Sequence, residues 1–202
     1  MIALFAHDDY AALGIATALE LERMPYRRVG GLQDAGALPV VAVGADFSRE
    51  ESLALAARRA VVLHGGPAFV RHALGAGDAV LAEGVVRLPL SEPIVPAALF
   101  AQAQPFGITA LTLPRVPYAR LAAAPPRGRA QGWLLAEPDD REAPAALALG
   151  DCLWLACDLG TAFAHLLTED YAPAPRGGAP GWLRRAAESL YYWAPEALRA
   201  GA

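Results

Sequence analysis

At 202 residues the chain is long enough for one domain with a full core and too short for two of ordinary size. A hydrophobic fraction of 55% with 19% charged residues excludes a disordered chain, and a formal net charge of −4 with scattered arginines excludes the basic footprint of a nucleic-acid binder. All 17 basic residues are arginine, which removes a phosphate-binding P-loop lysine, a Schiff-base lysine and a lysine general base from the available chemistry.

The chain opens on an apolar run, Ile2 to Ala6, followed at once by His7-Asp8-Asp9. That is the pattern of a first strand rather than of a secretory signal, which needs a basic segment before its apolar stretch. Ala11, Ile15, Ala18 and Leu19 then fall at helical spacing, with Asp8 or Asp9 placed to cap the start. Further strands are expected at Tyr26 to Gly30, Pro39 to Gly44 and Ala60 to His64. Ser48 and Glu51 have capping-box spacing and open a second helix, expected to end on Arg58 and Arg59 at the negative end of its dipole. Pro67 opens a third helix and Gly75 closes it.

From Ala79 to Leu90 the pattern becomes an extended apolar stretch broken by Glu83-Gly84, with a short helix expected near Pro96 to Ala103. Gly107 to Leu113, Gln131 to Ala136, Ala145 to Leu149 and Cys152 to Cys157 read as strands, joined by turns at Asp139-Asp140 and Gly150-Asp151. These are expected to be sheet-edge and hairpin additions. Leu121 to Gly128 and Pro173 to Gly181 read as mobile loops, and neither is long enough for a domain linker. The only cysteines, Cys152 and Cys157, lie an odd number of positions apart, which places them on opposite faces of a strand and argues against a bond between them. Unbonded thiols fit a reducing compartment, so a cytoplasmic location is the default. A last helix carries Leu183, Ala186, Ala187 and Leu190 on one face, followed by Tyr191-Tyr192-Trp193. With Trp182, these aromatics suit a helix docked on the core, a protein interface or a sugar-stacking platform.

The alternation of short apolar runs with helical patterns predicts an α/β fold. The expected architecture is a three-layer, flavodoxin-like open sheet, mostly parallel, with antiparallel additions in the C-terminal half. Residues 1–202 form one domain in this reading.

Two segments can carry chemistry. His7, Asp8 and Asp9 stand at the carboxyl end of the first strand, where open α/β sheets place ligands. The segment Ala6-His7-Asp8-Asp9 resembles the zinc-binding Ala-His-Pro-Asp-Asp-Glu motif of the N-acetylglucosaminyl-phosphatidylinositol deacetylase family, in which the His and second Asp bind metal and the first Asp is a base. Here the proline is missing, Tyr10 stands in the acidic position, and no later His-x-x-His pair supplies a further ligand. Helix capping is therefore the favoured role of Asp8 or Asp9. The second segment, Leu63-His64-Gly65-Gly66-Pro67, has the strand, tight turn and helix start of a nucleophile elbow. His64 occupies the end of the strand, and Gly65 and Gly66 form the turn, suited to tight bending or to anion binding by backbone N–H groups. None of the four serines has a Gly-x-Ser-x-Gly context, and both cysteines lie far downstream. His72 and His165 fall on helices and read as surface or buried polar residues; their proximity to His64 is not legible from sequence.

The segments Gln131 to Ala136, Ala145 to Gly150 and Leu153 to Gly160 look like the closing strands of class I glutamine amidotransferase-like domains in carbohydrate-active proteins. The opening, Ala3 to Gly14, is similar to that of such domains associated with polysaccharide deacetylases. The resemblance implies a flavodoxin-like core that works in assembly or substrate presentation. With the elbow cysteine absent, it carries over no catalytic residue, no metal and no cofactor. The implied partners are a carbohydrate-active domain, downstream or separate, or a second copy of the chain, with no nucleic acid and no membrane. The alternative is a metal-dependent, deacetylase-like hydrolase using His7, Asp8 or Asp9. Under the preferred reading, His7→Ala and Asp9→Ala change stability by no more than about 2 kcal/mol and abolish no activity.

Overall fold

The computed structural model describes residues 1–21, 24–77, 79–89, 110–123, 125–136 and 141–168. The helix expected near Pro96 to Ala103, the Asp139-Asp140 turn, the loop from Pro173 and the final helix with its aromatics lie outside these residues.

Four strands run parallel in the N-terminal half: β1 (Ile2–Ala6), β2 (Tyr26–Val29), β3 (Val40–Gly44) and β4 (Ala60–His64). β1, β3 and β4 are buried along their whole length, which is why they read as unbroken apolar runs rather than as alternating ones. β5 (Ala79–Pro89), β6 (Ala110–Leu121), β7 (Arg129–Ala136), β8 (Arg141–Leu149) and β9 (Cys152–Leu155) follow. The sheet has the order β2-β1-β3-β4-β9-β8-β7-β5-β6. Its first five places reproduce the doubly wound flavodoxin-like order, with β9 as the fifth parallel strand beside β4. The fold is thus the expected open α/β sheet, and β5 to β8 are its antiparallel additions.

The helices are α1 (Asp9–Leu21), α2 (Arg49–Ala56), α3 (Gly66–Ala68, continuing as a π turn over Phe69–Ala73) and α4 (Leu159–Thr168). The β1-to-β2 and β3-to-β4 connections cross the sheet in opposite directions. Right-handed crossovers therefore put α1 and α2 on opposite faces. α4 returns to the α1 side, where the two helices meet backbone to backbone. A Cβ on Gly14 would lie 2.0 Å from the Gly160 carbonyl oxygen, and one on Gly160 would lie 2.5 Å from the Ala11 carbonyl oxygen. Glycine at both positions lets α4 sit close against α1 and over β3, where a Cβ on Gly160 would also lie 2.7 Å from Val43 Cγ2.

Local signals mostly act where the sequence places them. The Ser48 hydroxyl accepts from the Glu51 N–H at 3.1 Å, and Glu51 accepts in return from the Ser48 N–H at 2.7 Å. Pro67 stands in the first turn of α3, and Gly75, at φ +70°, closes the turn that follows. α2 stops at Ala56, short of the expected Arg58 and Arg59. Arg58 instead reaches across to the carbonyls of Leu32 at 3.1 Å and Gly36 at 2.6 Å, tying down the short 3-10 turn Leu32–Ala35. Long-range carbonyls outcompete the helix dipole there.

The antiparallel half is more than a set of edge hairpins. β5 bends at a bulge between Gly84 and Val86, and β7 at irregularities around Gly132. Beyond β9, the Ala156 N–H donates to the Ala145 carbonyl of β8 at 2.8 Å. On the other side, the Ala119 N–H donates to the Ala156 carbonyl and the Asp158 N–H to the Pro117 carbonyl, both at 2.8 Å. Tyr118 stands opposite Cys157 in this bridge. β6 therefore comes back to the chain just past β9, so that β9, β8, β7, β5 and β6 form a closed ring of strands.

Candidate functional site at the carboxyl end of the parallel strands

Four connections meet at the carboxyl end of the parallel strands: residues 7–8 after β1, 45–48 after β3, 64–66 at the end of β4 and 156–158 after β9. The strand order reverses between β1 and β3, the position where doubly wound sheets open a crevice for ligands.

His7, Asp8 and Asp9 go to three different partners. The His7 Nε2 lies 3.1 Å from both Glu51 carboxylate oxygens, and its ring packs against Phe5 and Phe47 at centroid distances of 5.0 and 6.0 Å. Partial burial pushes the Glu51 carboxyl up, yet the Ser48 N–H and His7 outweigh it and hold the group below the usual carboxylate range. Asp8 accepts from the Tyr10 N–H at 2.8 Å and so caps α1, as its position predicts. Asp9 pairs with Arg28 on β2 at the surface. Among the described residues no group of three or more His, Cys, Asp or Glu side chains is arranged to hold a metal ion.

The β4 turn is the unusual element. His64 has φ +69°, the sole non-glycine residue at positive φ among those described, and Gly65 and Gly66 continue at +74° and +65°. An imidazole-bearing residue in this region stores about 1–3 kcal/mol of strain, which the surroundings must hold in place. Three contacts do so. The Gly65 N–H donates to the Gly44 carbonyl at 2.9 Å, the Trp154 Nε1–H donates to the His64 carbonyl at 2.8 Å, and Gly66 lies hard against Ala45. The turn has the strand-to-helix elbow shape read from the sequence, with His64 at its corner.

His64 is 3% exposed, and among the described residues neither of its ring nitrogens has a hydrogen-bond partner. Burial pushes its pKa down to about 4, so the ring is neutral at physiological pH. The Tyr118 backbone and the Asp46 carboxylate pull in the opposite direction, Tyr118 without completing a bond of good geometry. His72 is half-buried on the π turn, where its carbonyl accepts from Arg127 at 3.3 Å. His165 falls on α4, and its side chain lies outside the described residues.

Sequence reasoning missed Asp158. It is 4% exposed, and its two oxygens accept from the Thr161 N–H and hydroxyl, each at 2.9 Å. Burial pushes its pKa up to about 6; hydrogen bonds from Thr161 and Gly160 lower it, and the Asp8 charge raises it further. The signal was available as Asp-x-x-Thr directly after a strand, a helix N-cap pattern. Its burial was not, since that depends on β6 folding over it.

Asp158 and His64 give opposite pH dependences. The raised pKa of Asp158 contributes stability that is complete below pH 3.8 and is lost as pH rises through about 6. The depressed pKa of His64 contributes stability that is present above pH 6.5 and is lost as pH falls through about 4. Each shift corresponds to roughly 3 kcal/mol at most. Asp158→Asn keeps the cap and removes one of the two dependences. Denaturant titrations are expected to show the variant more stable than the parent at pH 8, by about 1–3 kcal/mol, and losing stability more steeply between pH 6.5 and 4. Parallel pH profiles for parent and variant would contradict this.

No family model matches the sequence, and no curated protein matches it.

Proposed function

We propose that the chain is a non-catalytic, amidotransferase-like accessory domain that works by ligand binding or assembly at the carboxyl end of its parallel strands. The observation that carries this reading is the β4 turn. It bends as a nucleophile elbow does, but its corner holds a buried, neutral imidazole instead of a thiol. Neither cysteine substitutes. Burial pushes both thiols up to about 12, leaving no thiolate at neutral pH, and the thiolate is the reactive form. Both are unbonded, which favours a reducing, cytoplasmic setting. The link to polysaccharide or carbohydrate metabolism, through a downstream or separate catalytic domain or through self-association, rests on the resemblance of the strand segments. A deacetylase-like metal centre is the less supported reading, because His7, Asp8 and Asp9 serve Glu51, the α1 cap and Arg28 separately.

The test is turnover. Purified protein incubated with glutamine, and separately with N-acetylated and O-acetylated saccharides, is expected to release neither ammonia nor acetate above buffer. Release that disappears in His64→Asn or His7→Ala would overturn the proposal.

A further inference from the structure

The ring of antiparallel strands is not equally strong around its circumference. Among the described residues β5 meets β7 in two residue pairs, Val86 with Ala136 and Arg87 with Leu135, and its register against β6 shifts at the bulge between Gly84 and Val86 beside them. The other closure is a single bridge, Tyr118 opposite Cys157. It is held by the Ala119 N–H on the Ala156 carbonyl and the Asp158 N–H on the Pro117 carbonyl. The ladder stops there, because α4 begins at Leu159 and Pro117 has no N–H to add.

Two buried polar groups depend on this bridge. The Tyr118 backbone reaches the His64 ring, where β6 runs against β4. Asp158 supplies one of the two donors and is itself buried. His64 sits at φ +69° with neither ring nitrogen bonded among the described residues, so it gains hydrogen bonds from water as soon as the bridge parts. Val116, Tyr118, Ala119 and Leu121 are buried along β6, and their apolar surface keeps the bridge closed most of the time. The β1, β3 and β4 ladder takes no part in these two bonds and stays intact when they break.

We infer that the Tyr118–Cys157 bridge is a gate: the middle of β6 lifts from residues 156–158 in a local opening, far short of unfolding, and this opening is the route by which solvent reaches His64. What the domain binds does not enter into it.

Hydrogen exchange on the full chain at neutral pH reads the opening directly. The Ala119 and Asp158 amides are expected to show protection about tenfold or more below that of the amides in β3 and β4, as a local opening requires. Equal protection at the bridge and in β3 and β4 would overturn the gate, since the bridge would then open only with the whole chain. A disulfide lock supplies the second measurement. The two flanking hydrogen bonds make Tyr118 and Cys157 a non-hydrogen-bonded pair with close side chains, so Tyr118→Cys places a thiol within disulfide reach of Cys157. The variant is oxidised with oxidised glutathione, the 118–157 link is confirmed by peptide mass mapping, and His64 is then exposed to diethyl pyrocarbonate, which acylates accessible neutral imidazoles. Acylation of His64 is expected to be about tenfold or more slower in the oxidised form than after reduction, while the exposed His7 reacts alike in both. Unchanged His64 acylation in the locked form, or no 118–157 link in a folded variant, would overturn the gate. Where Tyr118→Cys fails to fold, the exchange of the parent decides alone.

Discussion

Gly66→Ala is expected to lower stability by about 3 kcal/mol or more, the sum of a left-handed backbone penalty and an overpacking cost. Gly66 is at φ +65°, and an added Cβ would stand 1.7 Å from the Ala45 carbonyl oxygen and 2.5 Å from its carbon. Both obstacles are backbone atoms, so no side-chain rotation relieves them. The 45–48 connection must move, and it carries Asp46, Phe47 and the Ser48 capping box. The loss is therefore expected to spread: a denaturant melt gives the free energy, and hydrogen exchange at α2 is expected to quicken beside it. A folded variant within 1 kcal/mol of the parent, a bound set by these strain costs, would show that the β3 and β4 turns are not packed as described.

Trp154→Ala is expected to cost about 3–5 kcal/mol, the range for removing a large buried aromatic. Trp154 is fully buried in β9, the strand that joins the parallel half to the ring of antiparallel strands. Its Nε1–H also satisfies the His64 carbonyl. Trp154→Phe separates these roles. It retains most of the apolar volume and leaves that buried carbonyl without its donor, a loss of about 1–3 kcal/mol. Equilibrium unfolding of both variants tests the division. Equal losses would mean that the hydrogen bond, not the packing, dominates at this position.

The parallel half was legible because its signals are local. β1, β3 and β4 are short apolar runs, the Ser48 and Glu51 capping box spans three residues, and the His64-Gly65-Gly66 turn announces itself by its glycines. Asp8 could be read as a cap for the same reason. The closure of the antiparallel ring was not legible. It pairs residues 117–119 with residues 156–158, and the prolines at 114 and 117 mark that stretch as a break rather than a strand. β6 tolerates Pro117 because its carbonyl, not an N–H, makes the bond to Asp158. The candidate site was half legible. His7 and His64 were named from their positions at strand ends, but Glu51, 44 residues from His7, and Trp154, 90 from His64, are partners that only the folded chain supplies. Burial of Asp158 and the loss of hydrogen-bond partners at His64 follow from the same tertiary closure.

The most direct test of an elbow that holds a buried neutral imidazole is an NMR titration of the four histidines, with His64 assigned by its absence in His64→Asn. One ring is expected to stay neutral through pH 6.5 and to protonate only near pH 4, where its protonation begins to unfold the chain. A His64 that titrates near 6.5 in the folded protein would place the ring in water and contradict the account.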